Sequence, residues 1–600
     1  MRQVVIENPV LNSPYEEPKQ HYKFTDDGIT DEIIERRRVS AYFVPVPQPR
    51  RRGKERQLSF ETEWTKDRLK ENDFINRVRA RVALWREGGY VQITKTTRRL
   101  LDYWTNPQRD KKLFFCQIEA VETAIYIAEA ASKCGDGWIE NDLRKESDNY
   151  NPGLYRIAFK MATGSGKTVV MAMLIAWQTL NKHANAQDAR CSDAFLVVTP
   201  GITIRDRLRV LLPNYPNNYY KERDILPVDM MGELGKAKII ITNFHAFLRR
   251  EKIEAGKLTK KVVAQGDHER FLETPQEMAR RVCRDLGSKK NIVIINDEAH
   301  HCYRHKPDGE EVKLTGDDRE EAARREKAAM VWVSGLEAVK NKIGVKVIYD
   351  LSATPFFLRG SGYGEGTLFP WVMSDFSLID AIESGIVKVP RVPVADDSMT
   401  GTGPVYRDIW GRIREHLPRK GRRTEKITGE PKLPAELEGA LWSLYGNYEK
   451  YYRDWENNKQ LQVSGATPPV FIVVCNNTNV SKLVYDWIAG WEKQIEDGST
   501  VIVPGTLDIF SNVADGQWTI QPNTILIDSE QLESGEAMSS DFKKMAVREI
   551  EEFKSEYRIR FPGRDPQKLT DEDLLREVMN TVGKKGKLGE NIKCVVSVSM

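Results

Sequence analysis

A glycine-rich segment that ends in lysine and threonine is the clearest sign of chemistry in this sequence. The segment reads MATGSGKT and is followed by the apolar run VVMAML. Glycines let backbone N–H groups approach phosphate oxygens closely, and a helix that begins there directs its positive end at the same oxygens. Lys167 can reach β- and γ-phosphates, and the Thr168 hydroxyl can bind Mg²⁺. The candidate ligands of such a triphosphate are Thr163, Gly164, Ser165, Gly166, Lys167 and Thr168.

One position departs from the usual phosphate-loop pattern, G-x-x-x-x-G-K-[ST]. Met161 stands where that pattern has its first glycine. A glycine-rich turn that merely precedes Lys-Thr is therefore the alternative interpretation of this segment.

A pair of carboxylates follows an apolar run about 130 residues further on. The run NIVIIN is followed by Asp297, Glu298, Ala299 and His300. Carboxylates at the carboxyl end of a parallel strand face the crevice in which α/β sheets bind ligands. Asp297 could then hold Mg²⁺, and Glu298 could orient or deprotonate an attacking water. Taken alone, such a pair is more often a solvated strand end, so the interpretation depends on the glycine-rich segment.

A third polar group follows another apolar run. VIYDLSATPF places the hydroxyls of Ser352 and Thr354 at the end of a predicted strand. Ser-Ala-Thr is an ordinary turn by itself, and its position after the other two motifs makes it informative.

The elements that must position these residues can be recognised from apolar runs. AFLVVT, KIIIT, NIVIIN and VKVIYDLS alternate with helical patterns between about 114 and 390. Continuous apolar strands separated by helices predict a parallel sheet covered on both faces, and hence an α/β fold. A second α/β segment begins with PVFIVVCNNT, is interrupted by a charged helical stretch near 535–580 and resumes with IKCVVSVSM.

Composition narrows the class of protein. The 600 residues carry 91 basic and 87 acidic side chains, a formal charge of +4, so contacts with nucleic acid must come from local patches. The basic clusters Arg36–Arg38 and Arg50–Arg56 could grip phosphates or form a solvated face. The longest apolar run, Val169–Trp177, is about half of the roughly 18 residues that a membrane span requires. No signal-peptide pattern is present, and the seven cysteines are scattered singly, which predicts a cytoplasmic protein.

The order of the motifs resembles that of a superfamily-two helicase or translocase motor. MATGSGKT corresponds to motif I, VVTPG to motif Ia, IIITNFHAF to motif Ib, DEAH to motif II and SATP to motif III. The Met-Ala-Thr opening is similar to the motor subunits of type I and type III restriction enzymes, which often carry methionine there. The amino-terminal ENPVLNSPYEEP and the run from FFLRGSGYGEG to VKVPRVPV resemble the type III restriction Res family in particular.

The resemblance implies roles for further residues. Gln117 stands where such motors carry a glutamine that binds adenine, and Phe114 or Phe115 could stack on the base or belong to the core. The resemblance also assigns contacts with the nucleic-acid backbone, or the coupling of those contacts to ATP, to Thr199, Pro200, Thr242, Asn243, His300, Ser352 and Thr354. Polar groups at strand ends suit phosphate contacts, although Thr and Asn there could simply cap helices.

The resemblance also implies a domain organisation. We expect an accessory region over 1–110, a RecA-like motor domain over 111–392, a connector or insertion over 393–465 and an incomplete second RecA-like domain over 466–600. The arginine that motors of this class supply from the second domain lies in a late motif with Gln and two Arg, and no such motif follows Pro469. The sequence therefore predicts a fragment, with the rest of the second domain and any nuclease domain beyond residue 600.

The expected activity is ATP hydrolysis, with Mg²⁺, coupled to movement on duplex DNA or a displaced single strand. Lys167, Asp297 and Glu298 are the expected catalytic residues, and Thr168 and Asp297 the expected metal ligands. A methyltransferase subunit is the partner that a type III system implies. The alternatives are a stand-alone DNA or RNA helicase in repair or remodelling, and an ATP-binding scaffold without turnover.

Overall fold

The chain divides into two units, Met1–Val389 and Pro390–Met600. A computed structural model describes residues 6, 8–25, 28–43, 69–250, 272–306, 317–358, 360–389, 409–418, 430–494, 500–519, 521–527, 547–560, 565–569 and 571–598. The basic cluster Arg50–Arg56 lies outside the described residues, and the four domain boundaries expected above remain predictions.

The first unit is built around a six-stranded sheet. Its strands are β5 (Arg156–Met161), β6 (Ala194–Thr199), β7 (Lys238–Asn243), β8 (Ile292–Asp297), β9 (Val345–Ser352) and β10 (Val372–Phe376). The order across the sheet is β10-β5-β9-β8-β6-β7, and every neighbouring pair is parallel. The predicted α/β fold with a parallel, RecA-like sheet is therefore confirmed.

Helices cover this sheet and supply most of its connections. They are α1 (Asp73–Glu87), α2 (Lys95–Trp104), α3 (Phe115–Ile125, continued by a π-helical turn over Tyr126–Ala130), α4 (Trp138–Tyr150), α5 (Lys167–Ala184), α6 (Ile202–Arg207), α7 (Tyr219–Glu222), α8 (Met231–Leu234), α9 (Pro275–Val282), α10 (Asp317–Ile343) and α11 (Leu378–Glu383). Helix α5 is buried on all sides from Val169 to Asn181, because it packs between the sheet and helices α2 and α3. The first residues of α5, Lys167 and Thr168, precede this buried stretch and are half-buried.

The amino-terminal residues pack onto the same unit through two short pairs of antiparallel strands. These contain β1 (His21–Thr25) with β2 (Gly28–Ile34), and β3 (Ala41–Phe43) with β4 (Leu69–Glu71). Behind them, two arginines of the first basic cluster form ion pairs within the chain: Arg37 with Glu119 and Arg38 with Glu383, each at 2.6 Å. These two side chains therefore neither bind phosphate nor form a solvated face. Only Arg36 of that cluster is exposed.

The second unit contains a smaller parallel sheet. Its order is β11-β17-β16, formed by β11 (Phe471–Val474), β16 (Thr524–Ile527) and β17 (Cys594–Ser597). The other strands are β12 (Gly490–Gln494), β13 (Thr500–Pro504), β14 (Val513–Ala514) and β15 (Gln517–Trp518). Its helices are α12 (Ile409–Ile413), α13 (Ala435–Asn457), α14 (Lys459–Val463), α15 (Thr478–Ala489), α16 (Val547–Arg560) and α17 (Asp571–Thr581).

The runs PVFIVVCNNT and IKCVVSVSM, which the sequence assigned to one α/β segment, supply the adjacent strands β11 and β17. Among the described residues of both units, no helix is long and apolar enough to cross a bilayer.

Candidate active site

The candidate residues gather along one edge of the large sheet. The glycine-rich segment follows β5, the acidic pair ends β8, and Ser352 ends β9. Because all six strands are parallel, their carboxyl ends lie along the same edge, where α/β sheets bind ligands. Strand β9 separates β5 from β8, so the two principal motifs approach each other across a single strand.

The glycine-rich segment forms a tight loop between β5 and α5. Gly164 and Gly166 have φ angles of 85° and 88°, in the left-handed region that favours glycine. A Cβ atom on Gly166 would lie only 2.1 Å from Nε2 of Gln117. The Ser165 hydroxyl donates to the carbonyl of Ala162 at 2.6 Å, which closes the loop on itself. Thr163 and Gly164 are exposed at its tip.

The position of Met161 in the strand explains why this residue is not the glycine of the usual pattern. It is the last residue of β5, and its side chain is fully buried in the core of the first unit. The left-handed turns of this loop occur later, at Gly164 and Gly166, so no glycine is needed at Met161.

The acidic pair meets the loop lysine directly. Lys167 Nζ lies 2.8 Å from Glu298 Oε1, and the Glu298 backbone N–H donates to Asp297 Oδ1 at 3.1 Å. Glu298 has a φ of 48°, which is unusual for a residue with a side chain and reflects a sharp turn immediately after β8. Lys167, Asp297 and Glu298 are therefore brought together.

Asp297 has the electrostatic character of a cation ligand. Its burial, reinforced by the neighbouring charge of Glu298, raises its pKa to about 6, although Lys167 acts in the opposite direction. A desolvated carboxylate beside a second carboxylate is stabilised in its charged form by a divalent cation. With the half-buried Thr168 at the first turn of α5, it offers hard oxygen ligands that suit Mg²⁺.

A hydrogen bond links the acidic motif to the end of β9. His300 Nδ1 lies 2.9 Å from Ser352 Oγ, and the backbone N–H of Thr354 donates to the same hydroxyl at 3.1 Å. Burial, together with the charge of His301, lowers the pKa of His300 to about 4, so its ring is neutral near pH 7. His300, Ser352 and Thr354, all predicted from the sequence, are thus joined by hydrogen bonds.

The remaining nucleic-acid candidates lie at the ends of β6 and β7. Thr199 and Asn243 stand opposite each other in register. Both side chains are buried, and the Thr199 hydroxyl donates to the carbonyl of Gly201 at 2.9 Å. Pro200 and Thr242 are half-exposed. Strand β6 is the direct neighbour of β8, so Thr199 lies one strand away from the acidic pair, and β7 lies one strand further out. The contacts of these four residues with nucleic acid remain a prediction.

Gln117 contacts the loop through its amide. Its Nε2 donates to the Ser165 carbonyl at 2.9 Å, and its Oε1 accepts the backbone N–H of Phe114 at 3.1 Å. Phe115 is buried with the guanidinium groups of Arg37 and Arg86 at 5.4 and 4.9 Å from its ring. Phe115 is thus part of the core, one of the two possibilities left by the sequence.

A buried polar network beneath the site was missed by sequence reasoning. Asp350 of β9 accepts from Arg156 Nε at 2.7 Å and from Asn296 Nδ2 at 2.8 Å, and all three side chains are buried. Trp332 Nε1 donates to Asn296 Oδ1 at 3.2 Å, and the Trp332 ring stacks on Phe244. The sequence did contain a signal for this network, because Arg156, Asn296 and Asp350 each lie within a strand whose other residues are mostly apolar.

The glycine-rich and acidic motifs fall inside a family match. Residues 110–357 match the family model described as "Type III restriction enzyme, res subunit". The match supports a superfamily-two, helicase-like family and implies an ATP-hydrolysing enzyme. A search of curated proteins found no match to this chain.

Proposed function

We propose that this chain is the motor of a type III restriction (Res-like) system and couples ATP hydrolysis to movement on DNA. The observation that carries the proposal is the meeting of Lys167 with the Asp297–Glu298 pair at the edge of a parallel sheet. The family match over residues 110–357 supports the same conclusion.

The phosphate loop binds the triphosphate through its backbone N–H groups. Lys167 leaves Glu298 and pairs with the β- and γ-phosphates, since a phosphate carries more charge than a single carboxylate. Gln117 holds the Ser165 carbonyl and so fixes the shape of the loop. The loop therefore orients the chain of phosphates before any chemical step.

Asp297 and Thr168 would hold Mg²⁺, which when bound neutralises charge on the phosphate oxygens. Once Lys167 has moved to the phosphates, the carboxylate of Glu298 is released to accept a proton from the attacking water. Asp297 beside it is buried, whereas the side chain of Glu298 is 28% exposed and can be reached by water.

ATP hydrolysis is coupled to DNA through the hydrogen-bonded residues that follow the acidic pair. His300 and Ser352 join the end of β8 to the end of β9, and Thr354 continues that contact. We place the DNA backbone along the ends of β6 and β7, near Thr199, Pro200, Thr242 and Asn243. Site recognition belongs to a methyltransferase subunit, and we expect the complex to act in the cytoplasm.

The test is ATP turnover in the presence of duplex DNA, single-stranded DNA or RNA of matched length. Stimulation by DNA supports the proposal, and Lys167→Ala should abolish nucleotide binding and turnover together. Arg99→Ala is a suitable control, because Arg99 pairs with Asp229 on the exposed surface.

Two other outcomes would overturn the proposal in favour of the alternatives. Stimulation by RNA alone would identify an RNA helicase. ATP binding without turnover under any of these conditions would identify a nucleotide-dependent scaffold, the alternative that agrees with the lack of a motif with Gln and two Arg after Pro469.

A further inference from the structure

The amino-terminal motif NSPYEEP folds into a closed loop, here called the Tyr15 loop (residues 12–20). Asn12 Oδ1 accepts the backbone N–H groups of Lys19 and Gln20 at 2.9 and 3.1 Å, and Asn12 Nδ2 donates to the Gln20 carbonyl at 2.9 Å. Pro14 and Pro18 restrict the backbone between these ends. The loop is thus held in shape by its own residues, and little ordering is needed when it binds a ligand.

One connection joins this loop to the phosphate loop through the start of α3. The Phe115 backbone N–H donates to the Pro14 carbonyl at 2.8 Å. Two residues further on, Gln117 binds the Ser165 carbonyl at 2.9 Å. The residue that follows Pro14 is therefore fixed close to the glycine-rich segment, although about 150 residues separate the two in sequence.

A second connection runs through the turn after α11. The backbone N–H of Leu11 donates to the Glu383 carbonyl at 2.8 Å. A Cβ on Gly385 would lie 3.3 Å from Val10, and a Cβ on Gly164 would lie 3.3 Å from Val387 of the same turn. The amino-terminal segment is thus linked to the phosphate loop by two separate routes, one through the start of α3 and one through the turn after α11.

The side chain presented at this border is an aromatic ring. Tyr15 is 47% exposed, and its ring centroid lies 5.7 Å from that of Phe114 at an interplanar angle of 40°. The next residues anchor the loop from below, because Glu17 forms ion pairs with Arg37 at 2.9 Å and Arg86 at 3.1 Å. Phe115, in contrast, is buried among those two guanidinium groups and offers no face to a ligand.

We propose that Tyr15, supported by Phe114, is the surface on which the base of the bound nucleotide stacks. The inference rests on the nucleotide site proposed above and extends it to a segment about 100 residues before α3. Every nucleobase has a π-face, and an exposed aromatic ring on a preorganised loop is the side chain that binds it best. Tyr15 therefore contributes to affinity for the base and leaves the phosphates to the glycine-rich loop.

The experiment measures equilibrium binding of Mg²⁺-ATP and of Mg²⁺-tripolyphosphate, which has the phosphates but no base. Tyr15→Ala should weaken ATP binding about tenfold and leave tripolyphosphate binding unchanged. Tyr15→Phe keeps the aromatic face and should bind ATP within about twofold of the parent. Tyr451→Ala removes another exposed tyrosine, 55% accessible and in the second unit, and serves as the matched control.

Each other outcome has a distinct meaning. Unchanged ATP affinity in Tyr15→Ala would overturn the inference, and so would equal weakening of ATP and tripolyphosphate, which would assign Tyr15 to support of the phosphate loop. Tyr15→Leu repeats the measurement with an apolar side chain over Phe114 if the alanine variant fails to fold. Failure of the parent protein to bind either ATP or tripolyphosphate would instead refute the proposed nucleotide site.

Discussion

Lys167 Nζ and Glu298 Oε1 lie 2.8 Å apart, so the proposed phosphate ligand and the proposed base neutralise each other. Because ATP must displace this carboxylate from the lysine, Glu298→Gln should bind ATP several-fold more tightly while turnover falls by about 10²-fold or more. Binding titrations and single-turnover hydrolysis would measure both effects. Hydrolysis at the parental rate would show that Glu298 has no part in proton transfer.

Binding of Mg²⁺-ATP should depend on pH through Asp297. Its pKa of about 6 means that the carboxyl group is protonated below that pH and binds a metal ion poorly. We expect the affinity to fall by up to about tenfold per pH unit below pH 6. Asp297→Asn should bind Mg²⁺-ATP more weakly and keep only the pH dependence of the nucleotide itself. An identical pH profile in both proteins would contradict the assignment.

Gly166→Ala should damage the phosphate loop without unfolding the protein. A Cβ there would overlap the amide of Gln117 at 2.1 Å, in a backbone conformation that disfavours alanine by about 1 kcal/mol. We expect at least a tenfold loss of ATP affinity, partly recovered by adding Gln117→Ala. Gly232→Ala is the control, because a Cβ at Gly232 meets no atom within 4 Å.

Glu119 should make the first unit sensitive to acid. Burial opposes its ionisation, but the ion pair with Arg37 outweighs burial and lowers its pKa to about 2, from an ordinary value of 4.5. A carboxylate with a lowered pKa stabilises the fold above its unfolded pKa, and that contribution is lost as the pH falls from about 4.5 toward 2. Above pH 4.5, the lowered pKa of Glu119 contributes about 3 kcal/mol to the free energy of unfolding.

Urea unfolding of Glu119→Gln at a series of pH values would measure this contribution. The variant should be less stable than the parent at pH 7, and the difference should narrow in acid. Glu87→Gln, at the exposed end of α1, makes the same change of charge and should show no such convergence.

The ion pair between Arg156 and Asp350 should contribute far more to stability than a surface pair. Asp350→Asn leaves a fully buried guanidinium without its counter-charge, which costs about 3–5 kcal/mol. Asp229→Asn removes the exposed partner of Arg99 and should cost less than about 1 kcal/mol. Chemical denaturation of both variants compares them directly, and equal losses would contradict the buried role.

Four of the six strands of the large sheet could be predicted from the sequence almost residue by residue, whereas β5 and β10 were not among the predicted strands. AFLVVT became Ala194–Thr199, and VKVIYDLS became Val345–Ser352. The reason is that strands covered on both faces need unbroken apolar side chains, while polar residues begin where the sheet ends. The location of the candidate site at one edge followed from the same pattern.

The partners of individual polar side chains could not be predicted in this way. Arg37 was a candidate for phosphate contact, yet it pairs with Glu119, 82 residues away. Arg156 and Asp350 are separated by 194 residues. Such pairings depend on which elements become neighbours in space, and a local pattern of residue types carries no record of that.

Asn296 and Asp297 are consecutive residues of β8 whose side chains serve opposite purposes, one bonded within the core and the other placed at the reactive edge. Side chains alternate between the faces of a strand, so a shift of one residue would exchange their surroundings. A shift of β8 by one residue would place the charged Asp297 against the indole of Trp332 and would put the neutral amide of Asn296 at the proposed metal site. The hydrogen bonds of Asn296 to Asp350 and Trp332 thus favour the one register of β8 that also places the carboxylate of Asp297, the proposed metal ligand, at the edge of the sheet.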